Sequence, residues 1–306
     1  MATSTRSIKK QGVMLSILLM LGSAHLLNDL IQSMLVAIYP LLERNFQLSF
    51  TQIGLISLVY QMTASILQPG IGYFTDRHPK PYLLPFGMLS TTLGVILLGF
   101  ATGYLQILSA AALMGVGSSI FHPEAARLTR LASGGRYGFA QSIFQVGGNL
   151  GASLGPLLAG VLVIRYGNQQ NIHFFALIGI LAVTLLFMIS RWSAKQNIQQ
   201  SNRYAKGESF PFGKRRTFLA LGILAILIFS KYFYMTNLTN YYTFYLIEKF
   251  KIAPENAVLL LFLFLASVAL GTLIGGPVGD RIGRRRVIWF SMIGALPFTL
   301  LLPHLP

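Results

Sequence analysis

The chain has 306 residues, which by length alone would suit two soluble domains. Hydrophobic residues make up 54% of it and charged residues 10%, with a mean hydropathy of +0.62. A soluble domain carries about 25% charged residues, so a water-covered globular fold is excluded. The 24 Lys and Arg outnumber eight acids for a net charge of +16. They fall in short clusters between apolar runs and not along one face, which points to membrane topology and away from nucleic acid.

Runs able to cross about 30 Å of hydrocarbon fall near 13–41, 51–73, 82–101, 104–126, 138–164, 172–190, 217–246, 255–279 and 287–302. The expected fold is therefore an all-α polytopic membrane protein with nine spans. The first run follows Arg6, Lys9 and Lys10 as a signal peptide would, but it continues past His25 and Asp29 without a convincing cleavage site and reads as a span. Placing the N-terminus in the cytoplasm puts 19 bases on the cytoplasmic side and four (Arg44, Arg165, Lys249, Lys251) on the other, with Lys231 inside a span. The asymmetry sets the orientation expected in the plasma (inner) membrane. The chain has no cysteine, so thiol redox chemistry, thiolate metal sites and disulfides are excluded.

Ionisable groups at bilayer depth cost about 2.5–3.5 kcal/mol on insertion scales and are functional candidates. In the first span His25, Asn28, Asp29 and Gln32 share one stripe about 100° wide at helical periodicity, suited to lining a water-filled cavity. Desolvation disfavours a charged Asp29, and a carboxyl that can be neutralised can carry a proton across. The alternative is an acid hydrogen-bonded to hold His25 or a neighbouring helix. The second span adds a polar stripe including Gln61, open to cavity lining or interhelical bonding. The fourth carries His122, Pro123, Glu124 and Arg127; the spacing of three allows a surface ion pair, while Pro123 loosens the helix. In the fifth, Gly147, Gly151, Gly155-Pro156 and Gly160 make a groove for close packing. In the seventh, Lys231 shares a face with Tyr234, Asn237 and Tyr241, an array suited to an organic anion or to a snorkelling lysine.

Gly72-x-x-x-Asp76-Arg77 after the second span recurs as Gly276-x-x-x-Asp280-Arg281 after the eighth, 204 residues later. A repeat of that length points to duplicated bundles. The basic, Gln/Asn/Ser-rich stretch 191–216 reads as a cytoplasmic linker between them. The expected domains are a six-helix bundle over 1–190, that linker, and about three helices of a second bundle over 217–306.

The doubled Gly-x-x-x-Asp-Arg turns resemble the major facilitator superfamily of secondary transporters. His25-Leu-Leu-Asn28-Asp29, Phe121-His122-Pro123-Glu124-Ala-Ala-Arg127 and Asp76-Arg77-His78-Pro79-Lys80 narrow the resemblance to its fosmidomycin-resistance group of efflux proteins. The resemblance implies two bundles of six helices, so the chain reads as truncated after nine of twelve. It implies that the His122–Arg127 motif lines the translocation path. Gly151, Gly155, Pro156 and Gly160 resemble the superfamily's antiporter signature, departing from it at Ser142 and Ala159. Gly72, Asp76, Arg77, Gly276, Asp280 and Arg281 correspond to conformational latches, the first gripping an eleventh helix and the second the fifth. The expected activity is proton-coupled export of a small anionic drug or metabolite by alternating access; uptake symport and an inactive fragment are the other readings. No enzyme is expected, since neither His-x-x-x-His nor Gly-x-Ser-x-Gly occurs at bilayer depth. Neither cofactor nor metal is expected, and the partners are small-molecule substrate, protons and lipid, with oligomeric state left open.

Overall fold

The computed structural model describes residues 12–164, 166–204, 213–251 and 254–301. Long helices occupy all nine apolar runs, and the described residues contain no strand. In chain order they are α1 (Leu15–Ala37), α2 (Tyr39–Phe46), α3 (Phe50–Arg77), α4 (Leu83–Gly99), α5 (Tyr104–Ala132), α6 (Tyr137–Ala159), α7 (His173–Tyr204), α8 (Lys214–Phe250), α9 (Pro254–Ile282) and α10 (Arg284–Leu301). Among the described residues, six helices are long and apolar enough to cross a membrane by length and composition. The apolar α4 has 17 residues, and α10 opens on three arginines.

Three boundaries differ from the sequence reading. The first run does not reach residue 41 as one helix, because Pro40 lies in the first turn of a separate α2. Helix α2 ends on Gln47 in the left-handed conformation (φ 51°). Its Tyr39 hydroxyl bonds Ser57 Oγ on α3 at 2.7 Å. The stretch 191–216 is not a loop throughout: α7 continues to Tyr204 and α8 begins at Lys214. The Gln, Lys and Arg of this stretch are good helix formers. The connection after α9 is a break at Gly283, whose φ of 95° suits a residue without Cβ.

One compact unit comprises Met1–Asn197 with Val268–Pro306, and a second comprises Ile198–Ser267. In the first, α1 packs along α6, and both α3 and α4 pack along α5. Small residues set these pairs. A Cβ on Gly147 would run into the backbone of Gly22, and one on Gly117 into Thr91 and the carbonyl of Gly87. In lipid there is no hydrophobic drive between helices, so such close approach supplies the dispersion contacts that hold them. Helix α7 joins α4 through Gly179 against Thr92. Helix α3 starts on a capping box, in which Ser49 and Gln52 satisfy each other's backbone N–H groups. The core between the helices is apolar, with Leu21, Met34, Met88, Met114 and Phe121 fully buried.

Candidate functional site

The polar stripe of α1 is met by α5. His25 lies one helical turn before Asp29, with Nε2 at 3.2 Å from Asp29 Oδ2. His122 Nε2 of α5 lies 3.6 Å from Asp29 Oδ1. Asn28 Nδ2 donates to Asp29 Oδ1 at 2.9 Å. The ring of His25 is buried and stacks on Phe144 of α6 with centroids 4.0 Å apart. Asp29 and His122 keep 22% and 30% of their side-chain surface exposed, so the cluster is open on one side.

The far nitrogens of both imidazoles are committed. His25 Nδ1 lies 2.7 Å from the carbonyl oxygen of Phe144, and His122 Nδ1 lies 3.0 Å from that of Ser118. A carbonyl only accepts, so each Nδ1 carries the hydrogen, and in a neutral ring Nε2 is then a bare lone pair. Two lone pairs facing one carboxylate repel. The contacts to Asp29 become attractive when a cation lies between them, either a proton or a metal ion. The ligand atoms of His25, Asp29 and His122 all lie within 4.8 Å of one another, and these three residues could hold a metal.

Gln32, a turn beyond Asp29, accepts from Tyr60 Oη of α3 at 2.5 Å and from Ser118 Oγ at 3.4 Å. Tyr60 and Ser118 extend the network across three helices, and the sequence reading missed both. Tyr60 directly precedes the singled-out Gln61, which is exposed. Glu124 and Arg127 form a two-pronged pair, with Arg127 Nε donating at 2.9 Å and Nη2 at 2.5 Å. Glu124 is fully buried, so removing Arg127 would leave an uncompensated charge. A surface cavity of about 530 Å³ at the α5–α6 turn, lined by Arg130, Tyr137 and Gln141 among others, shares no residue with the cluster.

The glycines of α6 bear on the same cluster. A Cβ on Gly151 would meet the Leu26 carbonyl, and one on Gly155 the Leu30 carbonyl and Ser33 Oγ. A Cβ on Gly148 would lie 2.6 Å from His25 Nε2 and 2.8 Å from Asp29 Oδ2. Pro156 is exposed, and Gly160, where α6 passes into a wider π-type turn over Gly160–Ile164, has nothing within 4 Å of a built Cβ.

At the N-terminus of α6 the Asp280 carboxylate accepts from the Gly138 N–H at 3.1 Å and the Phe139 N–H at 2.8 Å. An anion there meets unsatisfied N–H groups and the positive end of the helix dipole. Gly276 allows this approach, since its Cβ would collide with Ser142 Oγ and the Gly138 carbonyl. Arg281 is exposed. In the first turn motif Asp76 and Arg77 are exposed, Arg77 bonds and covers the Tyr73 ring, and Gly72 faces Pro123 of α5. In the second unit Lys231 is exposed with its ammonium 5.6 Å from the centroid of the Tyr232 ring, and Tyr234 is half-buried. The side chains of Asn237 and Tyr241 lie outside those described.

Long apolar helices with polar groups converging between them, and a carboxylate gripping a helix end at an inter-helix turn, define a multi-pass membrane protein of the transporter kind. The model of the Major Facilitator Superfamily matches residues 21–306, and the chain belongs to that superfamily, whose members are transporters rather than enzymes. It is 51% identical over 303 residues to the fosmidomycin resistance protein of Escherichia coli (strain K12), covering 99% of this chain and 74% of that one. It is 37% identical over 302 residues to an uncharacterized MFS-type transporter of Bacillus subtilis (strain 168), covering 97% and 74%. Identity is 21% over 268 residues with multidrug resistance protein 2 of the same organism, covering 85% and 66%.

Proposed function

We propose that the chain exports a small anionic compound, fosmidomycin or a molecule like it, in exchange for protons by alternating access. The observation that carries this reading is the set of two Nε2 atoms, from α1 and α5, facing Asp29 with their Nδ1 hydrogens already committed. That arrangement needs a cation between the rings and the carboxylate, and a transported proton supplies one. Similarity to a protein named for fosmidomycin resistance supports the substrate class; Lys231, with Tyr234, Asn237 and Tyr241, is assigned to the anion, and Gln61 of the first unit is assigned separately to the substrate path. The glycines of α6 and the turn carboxylates Asp76 and Asp280 are assigned to the conformational cycle, with residues 1–190 and 217–306 as the two transporter halves joined through 191–216. The N-terminus is placed in the cytoplasm on the 19-to-4 distribution of bases.

The test is export of fosmidomycin from proteoliposomes under an imposed pH gradient. Asp29→Asn is expected to insert normally and to lose gradient-driven export by about tenfold or more, a change of about 1.4 kcal/mol in the barrier. Export by Asp29→Asn with the wild-type dependence on the gradient would sink the proposal.

A further inference from the structure

We propose that His25, Asp29 and His122 also form a binding site for one divalent transition-metal ion of the zinc class, a property that goes beyond export and does not depend on its direction. Two imidazoles and one carboxylate with open positions form a recurrent transition-metal donor set, and ions such as Mg²⁺ and Ca²⁺ prefer shells of oxygen.

The geometry meets three requirements. First, spacing: zinc takes nitrogen at about 2.0–2.1 Å and oxygen at about 2.0–2.2 Å, so tetrahedral donors stand about 3.3 Å apart. Asp29 oxygens lie 3.2 Å from His25 Nε2 and 3.6 Å from His122 Nε2, with the three donors within 4.8 Å. A side-chain adjustment of His122 closes the remainder. Second, the outer shell: ligating histidines donate their other N–H to a carbonyl or carboxylate, which orients the ring and frees the ligating lone pair. His25 does so to Phe144 and His122 to Ser118, while Asn28 Nδ2 fixes Asp29 Oδ1. Third, room and access: Gly148 leaves open the space where a Cβ would touch His25 Nε2 and Asp29 Oδ2. The partial exposure of Asp29 and His122 lets water or an anion complete the coordination.

Sequence spacing hides such a site, since only His25 and Asp29 lie within one turn and His122 comes from a helix 93 residues on. An ion here occupies the lone pairs that a proton would use, so metal and proton compete.

The chain, purified in detergent without a polyhistidine tag, is titrated with ZnCl₂ by calorimetry and with CoCl₂ by visible absorption. One ion per chain is expected, with affinity reduced at least about tenfold in both His122→Ala and Asp29→Asn. Excess MgCl₂ should not compete, and His78→Ala, at an exposed position, should bind as wild type. Circular dichroism confirms that each variant keeps its helices, and His122→Gln replaces His122→Ala if it does not. Absence of stoichiometric uptake by the wild type, or a smaller than tenfold loss in either variant, overturns the site. Export measured in chelator-treated buffer judges the transport reading separately, so the two proposals fail independently.

Discussion

Asp29 is held by groups from α1 and α5, and Gly148 of α6 lies against it. That crowding makes Gly148 the most informative small residue of the chain. A methyl group there has to displace an imidazole and a carboxylate, and overpacking of a close interface costs about 1–3 kcal/mol. Gly148→Ala is therefore expected to lower the melting temperature in detergent and to abolish export, whereas Gly54→Ala on α3, with open space around its Cβ, should change neither. Thermal melts and the proteoliposome assay on the two variants check this, and equal behaviour would remove Gly148 from the site. The stripe His25–Gln32 was legible because one helix's periodicity reveals one helix's face. Its partners were not, because periodicity does not say which face lies opposite. Tyr60 on α3 reaches Gln32, while Gln61, the more polar neighbour and the one the sequence singled out, is exposed.

Among the elements, α6 is gripped at its start by a side chain from another helix. The Asp280 carboxylate takes two of its first N–H groups, and loss of a capping side chain costs about 0.5–2 kcal/mol. Asp280→Ala should lower the melting temperature, and the difference from wild type should shrink at high salt, because Asp280 is exposed and its charge is screened. A melting temperature equal to wild type at low salt would deny the cap. Apolar runs located the helices well, since burial or lipid demands them. Their ends followed local chemistry that hydropathy does not register: Pro40 opened a new helix, and helix-forming residues after 191 carried α7 to Tyr204. The Ser49–Gln52 box was plainly written in the sequence, but it sits between two apolar runs and passed unread.

For the whole molecule, the distribution of bases makes a topological prediction that the absence of cysteine renders easy to test. A single cysteine at Thr102, in the turn between α4 and α5, should react in intact cells with a membrane-impermeant maleimide. One at Lys80, between α3 and α4, should react only after permeabilisation. Both positions are exposed, and the reverse pattern would invert the assigned orientation. The duplicated turn motif was the strongest sequence sign of the superfamily, because its spacing survives where general hydropathy carries little information.

The continuity of α6 has a mechanical consequence. Asp280 seizes the helix at Phe139, the Phe144 carbonyl holds His25, and Gly148 lies against Asp29. These points fall along one rod, with Phe139 and Gly148 about 14 Å apart at 1.5 Å per residue. A stiff rod cannot slide or turn at one end while its middle stays still. Any stroke that pulls α6 relative to α1 must drag the Phe144 carbonyl across the ring of His25 and alter the space beside Asp29. The grip at the turn and the Asp29 cluster inside the bundle are thus two fittings on a single lever.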